Sequence, residues 1–233
     1  DEELSREDLV PSVFAALETD GKLCQISSGF TVNSLIGSSS VLGTGMGWTT
    51  EELNEFLDAH PETQLNSFWT KDNALLAFGL MNIDNFIDWT TGECSFDSQE
   101  FVQLLEFANR FPAEINWNES EYVDDYQLIQ EGKILFYPFS LYSLSDYNMY
   151  KDLFGGEVTF IGYPTREGVG NYISLDSGLA MSASCKNKEG AWSFMRTLLT
   201  EEYQKDNYSL PTNMNLLNKK LEEAMSPEKA DST

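Results

Sequence analysis

Residues 158–199 read VTFIGYPTREGVGNYISLDSGLAMSASCKNKEGAWSFMRTLL. Two apolar runs, VTFIGY and GLAMSAS, have the length and bounding of strands, and a Gly/Pro-rich break carrying Gly168 and Gly170 separates them. Asn187 then stands where an N-cap belongs, and Ala191, Phe194, Met195, Leu198 and Leu199 recur at helical spacing to form the apolar stripe of the helix that follows. Strand, loop, strand and helix in this order predict a mixed α/β layer, and the rest of the chain is read outward from it.

Upstream, GWTTEELNEFLDAHP carries a T-x-x-E capping box in Thr49 and Glu52, with Trp48 placed to staple onto Leu53 and Pro61 closing the helix. FDSQEFVQLLEFANRFP repeats the signals, with Asp97 as expected cap, Phe96 facing Phe101, and Pro112 as the stop. Between them KDNALLAFGLMNIDNFID predicts one helix, followed by a turn at TTGE. YVDDYQLIQEGK predicts a helix ending at Gly132, ILFYPF a strand, and SLSDYNMYKDLFGG a helix stopped by Gly155. Asn213 is expected to cap a last helix over LLNKKLEEAM, ahead of a polar tail, SPEKADST, expected to fray.

Composition excludes several classes. The 233 residues hold 14 Lys and Arg against 38 Asp and Glu, a formal charge of −24, which repels nucleic-acid phosphates and anionic lipid headgroups. Aromatic residues make up 13% of the chain, so this acidity belongs to a folded chain with a dense core or an aromatic cleft rather than to a disordered one. No run of 18 apolar residues exists. Cys24, Cys94 and Cys185 have no metal-ligand spacing and are expected as buried thiols. His60, the one histidine, precedes Pro61 at a helix end and is expected to serve the helix rather than a catalytic triad. Nucleophile-elbow, zincin and nucleotide-cradle motifs are absent, and DWTTGECSFD departs from a calcium loop at the glycine and at the twelfth position. No cofactor and no metal are expected, and catalysis is not expected.

What the chain does offer is rings near strand ends and loops: Phe30 in SSGFTVNSL, Trp69 in NSFWT, Phe139 and Tyr142 in YPFSLYS. Flat rings stack on the apolar faces of sugars while neighbouring Asn, Asp and Thr serve the hydroxyls. For each ring the competing role is a packed core side chain.

Several segments in fixed order resemble the family 1 extracellular solute-binding proteins of ABC importers, the family of maltose-binding protein. GKLCQISSGFTVNSLI followed by GWTTEELNEFL is similar to that family's first crossing between lobes; EGKILFYPF resembles the strand before its cleft aromatic; FIGYPTREGVGNYISLDSGLAMSASCKNKEGAWSFMRTLLTEEYQ resembles the return crossing, and LPTNMNLL the step after it. Ser27 or Ser28 stands where the family has a proline, and Thr31 where it has an acidic sugar ligand. The resemblance implies a two-lobed periplasmic-binding-protein-like fold of type II, here mostly the second lobe with parts of the first. It implies the end of the first lobe and a hinge crossing over 1–34, the second α/β lobe over 35–170, the return crossing and a first-lobe helix over 171–212, and the C-terminal helix and tail over 213–233. The Gly-rich break would then be a hinge whose glycines absorb the dihedral change of closure. About a hundred further residues, roughly one domain, would precede Asp1 in such a protein.

The function implied is capture of a sugar or oligosaccharide between two lobes and delivery to a membrane permease. The location implied is extracytoplasmic, at a cell surface as a lipoprotein or in a periplasm. Two alternatives stay open from the residues alone: a secreted glycosidase-like enzyme, which needs two positioned carboxylates, and a ligand-sensing module.

Overall fold

A computed structural model of the chain describes residues 4–115 and 124–225. The expected fraying tail and the first two residues of YVDDYQLIQEGK lie outside the described residues. The order of elements is a 3-10 turn at Arg6–Asp8, then α1 (Pro11–Ala16), β1 (Glu18–Thr19), β2 (Lys22–Leu23), β3 (Gly29–Ser38), α2 (Ser39–Leu42), α3 (Thr50–Ala59), α4 (Lys71–Met81), α5 (Ile83–Phe86) and α6 (Gln99–Ala108). It continues with α7 (Asp125–Gln130), β4 (Tyr137–Leu141), α8 (Leu144–Leu153), β5 (Val158–Phe160), β6 (Tyr172–Asp176), α9 (Lys188–Thr197), α10 (Glu201–Gln204), β7 (Leu210–Pro211) and α11 (Met214–Met225). This is the α/β architecture that the alternation of strands and helices predicts.

The chain forms two compact units. Unit 1 takes the residues up to Asn33, Ser140–Met149 and those from Tyr172 onward; unit 2 takes Ser34–Phe139 and Tyr150–Asn171. Residues 140–149, expected within 35–170, therefore pack with unit 1, because Leu141 and Leu144 join its core. The last helix, expected as a separate piece, also belongs to unit 1, where Leu216 is buried.

In unit 1, β3 pairs antiparallel with β6 over Gly29–Asn33 and with β7 at Gly29 and Phe30. Side chains alternate across a strand, so Phe30 and Val32 face the same way as Ile173 and Leu175. That face closes on Val13, Phe14, Leu17, Met195, Leu199 and Leu210. The other face carries Thr31, Asn33, Tyr172 and Ser174. In unit 2, β3 continues against β5 through Ile36–Ser38. The unit 2 core gathers Trp48, Leu53, Leu57, Phe78, Leu104, Phe107, Phe111 and Tyr163 from α3, α4, α6 and their loops. Its rings meet mostly edge to face, as Trp48 does with Phe136 at 5.6 Å and Trp69 with Phe78 at 5.6 Å.

The helix signals are realised with local changes. Thr49 and Glu52 form the reciprocal capping box of α3, and Asn187 and Asn213 accept from the first turns of α9 and α11. The cap of α6 is Ser98, whose hydroxyl accepts from the Phe101 N–H, rather than the expected Asp97. The predicted helix over 71–88 breaks at Asn82, whose buried amide donates to the carbonyls of Phe78 and Pro164. GLAMSAS forms no strand, keeping only a bridge between Leu179 and Ile26, and the second strand of that region is β6. The strand read at ILFYPF begins later, at Tyr137. Phe194, expected in the buried stripe of α9, is 65% exposed. The cysteines are free, but Cys24 and Cys94 are exposed and Cys185 half-buried, since all three sit in turns or loops instead of the cores.

The Gly-rich break is clamped within unit 2. The Tyr163 N–H donates to Gly170 O, the Thr165 N–H to Trp48 O and the Val169 N–H to the Thr165 hydroxyl. A Cβ on Gly170 would stand 1.6 Å from the Tyr163 carbonyl oxygen. That glycine serves close backbone packing, while its neighbour Gly168 takes a positive φ of 68°.

Candidate ligand-binding site

The polar face of the unit 1 sheet is built by alternation. Thr31 lies opposite Ser174 and Asn33 opposite Tyr172. The Asn33 amide donates to Ser174 Oγ at 2.9 Å, and Ser140 Oγ donates to Asn33 Oδ1 at 2.7 Å, so both ends of that amide are oriented. Ser27 donates to the backbone carbonyls of Gly29 and Asp176. Thr31 is buried, and its hydroxyl has no hydrogen-bond partner among the described residues. A buried hydroxyl without a partner is costly unless water or a ligand supplies one.

Two residues beyond Ser140 the chain leaves β4, and Tyr142 stands at the mouth of a cleft of about 530 Å³. Asp206, Asn207, Tyr208, Lys220 and Glu223 line it from α11 and the segment before β7. Asp146 holds the entry by accepting from the Tyr142 and Ser143 N–H groups. Tyr142 is 40% exposed and Tyr208 77%, with ring centroids 5.5 Å apart and planes 39° apart. A third phenol, Tyr172, is close enough to Tyr142 to sense its charge: burial raises the Tyr172 pKa and Tyr142 raises it further. The phenol of Tyr172 is thus held neutral, as a donor and acceptor on the polar face.

Of the five expected site residues, Thr31 and Tyr142 fall in this region of unit 1. Phe30 belongs to the unit 1 core, one residue out of phase with the polar face. Trp69 lies in unit 2, where Phe68, Phe78, Phe111 and Tyr163 surround it. Phe139, also in unit 2, is 4% exposed and packed between Tyr150 and Phe160 at 4.7 and 5.6 Å. Phe30 and Phe139 are buried core side chains, whereas Trp69 is half-buried at the edge of the unit 2 core. Asn33, Ser140, Tyr172, Ser174 and Tyr208 went unmarked in the sequence. The period-2 pattern of SSGFTVNSL and NYISLD could have identified Asn33, Tyr172 and Ser174, and Ser140 follows one residue after the strand read at ILFYPF, while Tyr208 lies in a loop with no periodicity.

The described residues include no group of three or more His, Cys, Asp or Glu able to hold a metal ion, and no helix among them is long and apolar enough to cross a membrane.

The chain thus combines a mixed sheet, flanking helices and a cleft lined by two exposed tyrosines. The profile of the bacterial extracellular solute-binding protein family matches residues 3–227, and the chain belongs to that family. The fold is similar to that of the sugar-binding protein MalE from Xanthomonas citri, with a TM-score of 0.58 at 16% identity over 96% of this chain and 63% of that one. It is also similar to an ABC substrate-binding protein from Listeria monocytogenes solved with cycloalternan, with a TM-score of 0.55 at 15% identity over 95% of this chain and 61% of that one. A family 1 extracellular solute-binding protein from Alicyclobacillus acidocaldarius gives 0.58 at 12% identity, covering 96% and 61%. The chain thus spans less than two thirds of the length of these solved structures. No curated protein sequence matches it.

Proposed function

We propose that this protein is the substrate-binding component of an ABC importer, and that it captures a neutral carbohydrate for delivery to a membrane permease. The observation that carries the reading is the exposed pair Tyr142 and Tyr208 lining the cleft of unit 1. Phenol rings offer apolar faces to the C–H side of a sugar, and the Asn33, Ser140 and Ser174 array beside them offers oriented donors and acceptors for hydroxyls. Such a pattern suits a ligand rich in hydroxyls better than an oxyanion, because Lys220 shares the cleft lining with the carboxylates of Asp206 and Glu223. In this reading the two compact units belong to the two lobes of the family's fold, Thr31 finds its missing partner in the bound ligand or its water, and the site lies outside the cytoplasm. The protein binds and releases without turnover.

The test is calorimetry and thermal shift against a panel of mono- and oligosaccharides. A bound sugar at 100 times its dissociation constant adds roughly 2.7 kcal/mol of stability. Tyr142→Ala and Tyr208→Ala should each weaken binding by about 1 to 3 kcal/mol, the range set by the area a ring buries. Phe139→Ala should instead lower stability by about 3 to 5 kcal/mol, as removal of a packed ring does, with the cleft side chains left intact. Unchanged affinity in both tyrosine variants would remove the cleft from the reading. Hydrolysis of an oligosaccharide would replace it with the glycosidase alternative.

A further inference from the structure

Tyr208 is the most exposed aromatic ring described in unit 1, and its only described ring neighbour is Tyr142. Something other than its own burial must fix it. The segment 205–211 that carries it is tied at both ends by one side chain. Gln204 is fully buried at the end of α10. Its Nε2 donates to Leu198 O at 2.8 Å and to Thr212 Oγ1 at 3.0 Å, and its Oε1 accepts from the Asn213 N–H at 2.8 Å. Its own carbonyl accepts from the Asn207 N–H at 3.1 Å.

The clamp extends past its immediate partners. Thr212 Oγ1 passes a hydrogen bond on to Ser27 O at 2.8 Å, and Asn207 Nδ2 donates to Ser28 O at 3.1 Å. Both thus reach the turn that leads into β3. Asn213 caps α11 through Leu216 N at 3.1 Å. Every hydrogen-bonding position of the Gln204 amide except one acceptor lone pair is accounted for. A buried amide gains little over an apolar group of its size in net stability, but a fully connected one allows a single path for the chain around it.

We infer that Gln204 is the positioning residue of the cleft, holding the 205–211 segment so that Tyr208 stands against Tyr142. The consequence for ligand capture rests on the function proposed above, whereas the positioning itself does not. Gln204 acts through the backbone of the segment, by its bonds to Leu198, Thr212 and Asn213.

The experiment incorporates 3-fluorotyrosine into the 233-residue chain and follows its ¹⁹F spectrum. The Tyr208 and Tyr142 signals are identified by their loss in Tyr208→Phe and Tyr142→Phe. Gln204→Met keeps the volume and removes all three side-chain bonds; Thr212→Val removes one and guards against a variant that fails to fold. Positioning predicts that in either folded variant the Tyr208 and Tyr142 signals shift toward the value of free fluorotyrosine while the unit 2 tyrosines keep theirs. A lowered melting temperature with unmoved Tyr208 and Tyr142 signals would overturn the inference, leaving Gln204 a purely structural residue. A separate arm titrates the sugar found in the panel. Gln204→Met should weaken it about tenfold, near the loss in Tyr208→Ala, a factor equivalent to about 1.4 kcal/mol. Shifted fluorine signals with unchanged sugar affinity in Tyr208→Ala would uphold the positioning and sink the carbohydrate reading instead.

Discussion

At the scale of single residues the most informative contrast is between Phe139 and Tyr142, three positions apart. Phe139 is walled in by Tyr150 and Phe160, and Tyr142 opens on the cleft. Tyr172 adds a pH signature. Burial, reinforced by Tyr142, raises its pKa above the ordinary 10.0 in the folded chain. The unfolded chain then releases this proton first as pH rises, so folding holds more protons than unfolding above pH 10 and stability falls with pH there. The stabilisation is complete below pH 10 and is lost as pH climbs through the raised folded value. Chemical denaturation at a series of pH values should show a steeper alkaline loss in the natural chain than in Tyr172→Phe; identical slopes would mean that the phenol is not held neutral. The sequence marked Tyr142 because the ring stood among polar residues next to a strand. It could not rank Tyr142 above Phe139, because the end of β4 was read two residues too early, and strand phase decides which ring goes inward.

At the scale of elements, helix beginnings were legible because capping is local chemistry. Thr49 with Glu52, Asn187 and Asn213 each act within one turn, and all three do so here. The cap of α6, read at Asp97, falls one residue later at Ser98, and the larger failures depended on distant partners. Asn82 breaks a helix because the Pro164 carbonyl arrives from 82 residues away. The short hairpin β1–β2 carries its signal in Asp20-Gly21, with φ of 52° and 70°, a pair of left-handed residues that two-residue hairpin turns demand. The close approach in the Gly-rich loop was illegible because only the fold shows the Tyr163 backbone pressed against Gly170. Gly170→Ala should therefore behave as an overpacked core substitution, lowering stability by about 1 to 3 kcal/mol or more in denaturant unfolding. A change below about 0.5 kcal/mol, the ordinary range for exposed surface positions, would mean that the loop moves freely away from the Tyr163 backbone.

At the scale of the molecule, charge is the dominant property legible from composition. A formal −24 on 233 residues makes the folded state repel itself, and salt screens that repulsion, the Debye length shrinking from about 30 Å at 0.01 M to about 8 Å at 0.15 M. The described ion pairs are exposed on at least one side and add little that salt could remove. Melting temperature should therefore rise with sodium chloride over that range; a fall would mean that attractive pairs outweigh net charge. The interleaving of the two units carries a different consequence, one for the order of assembly. Unit 2 is made of two stretches that finish by Asn171, whereas unit 1 closes through Ser27 with Asp176, 149 residues apart, and Ser27 with Thr212, 185 apart. Contacts that distant are slow to form by chance encounter of the chain ends. On a ribosome the inserted unit can therefore be complete while the unit holding Tyr142 and Tyr208 still waits for β7 and α11, and the cleft comes into being after the unit inserted within it.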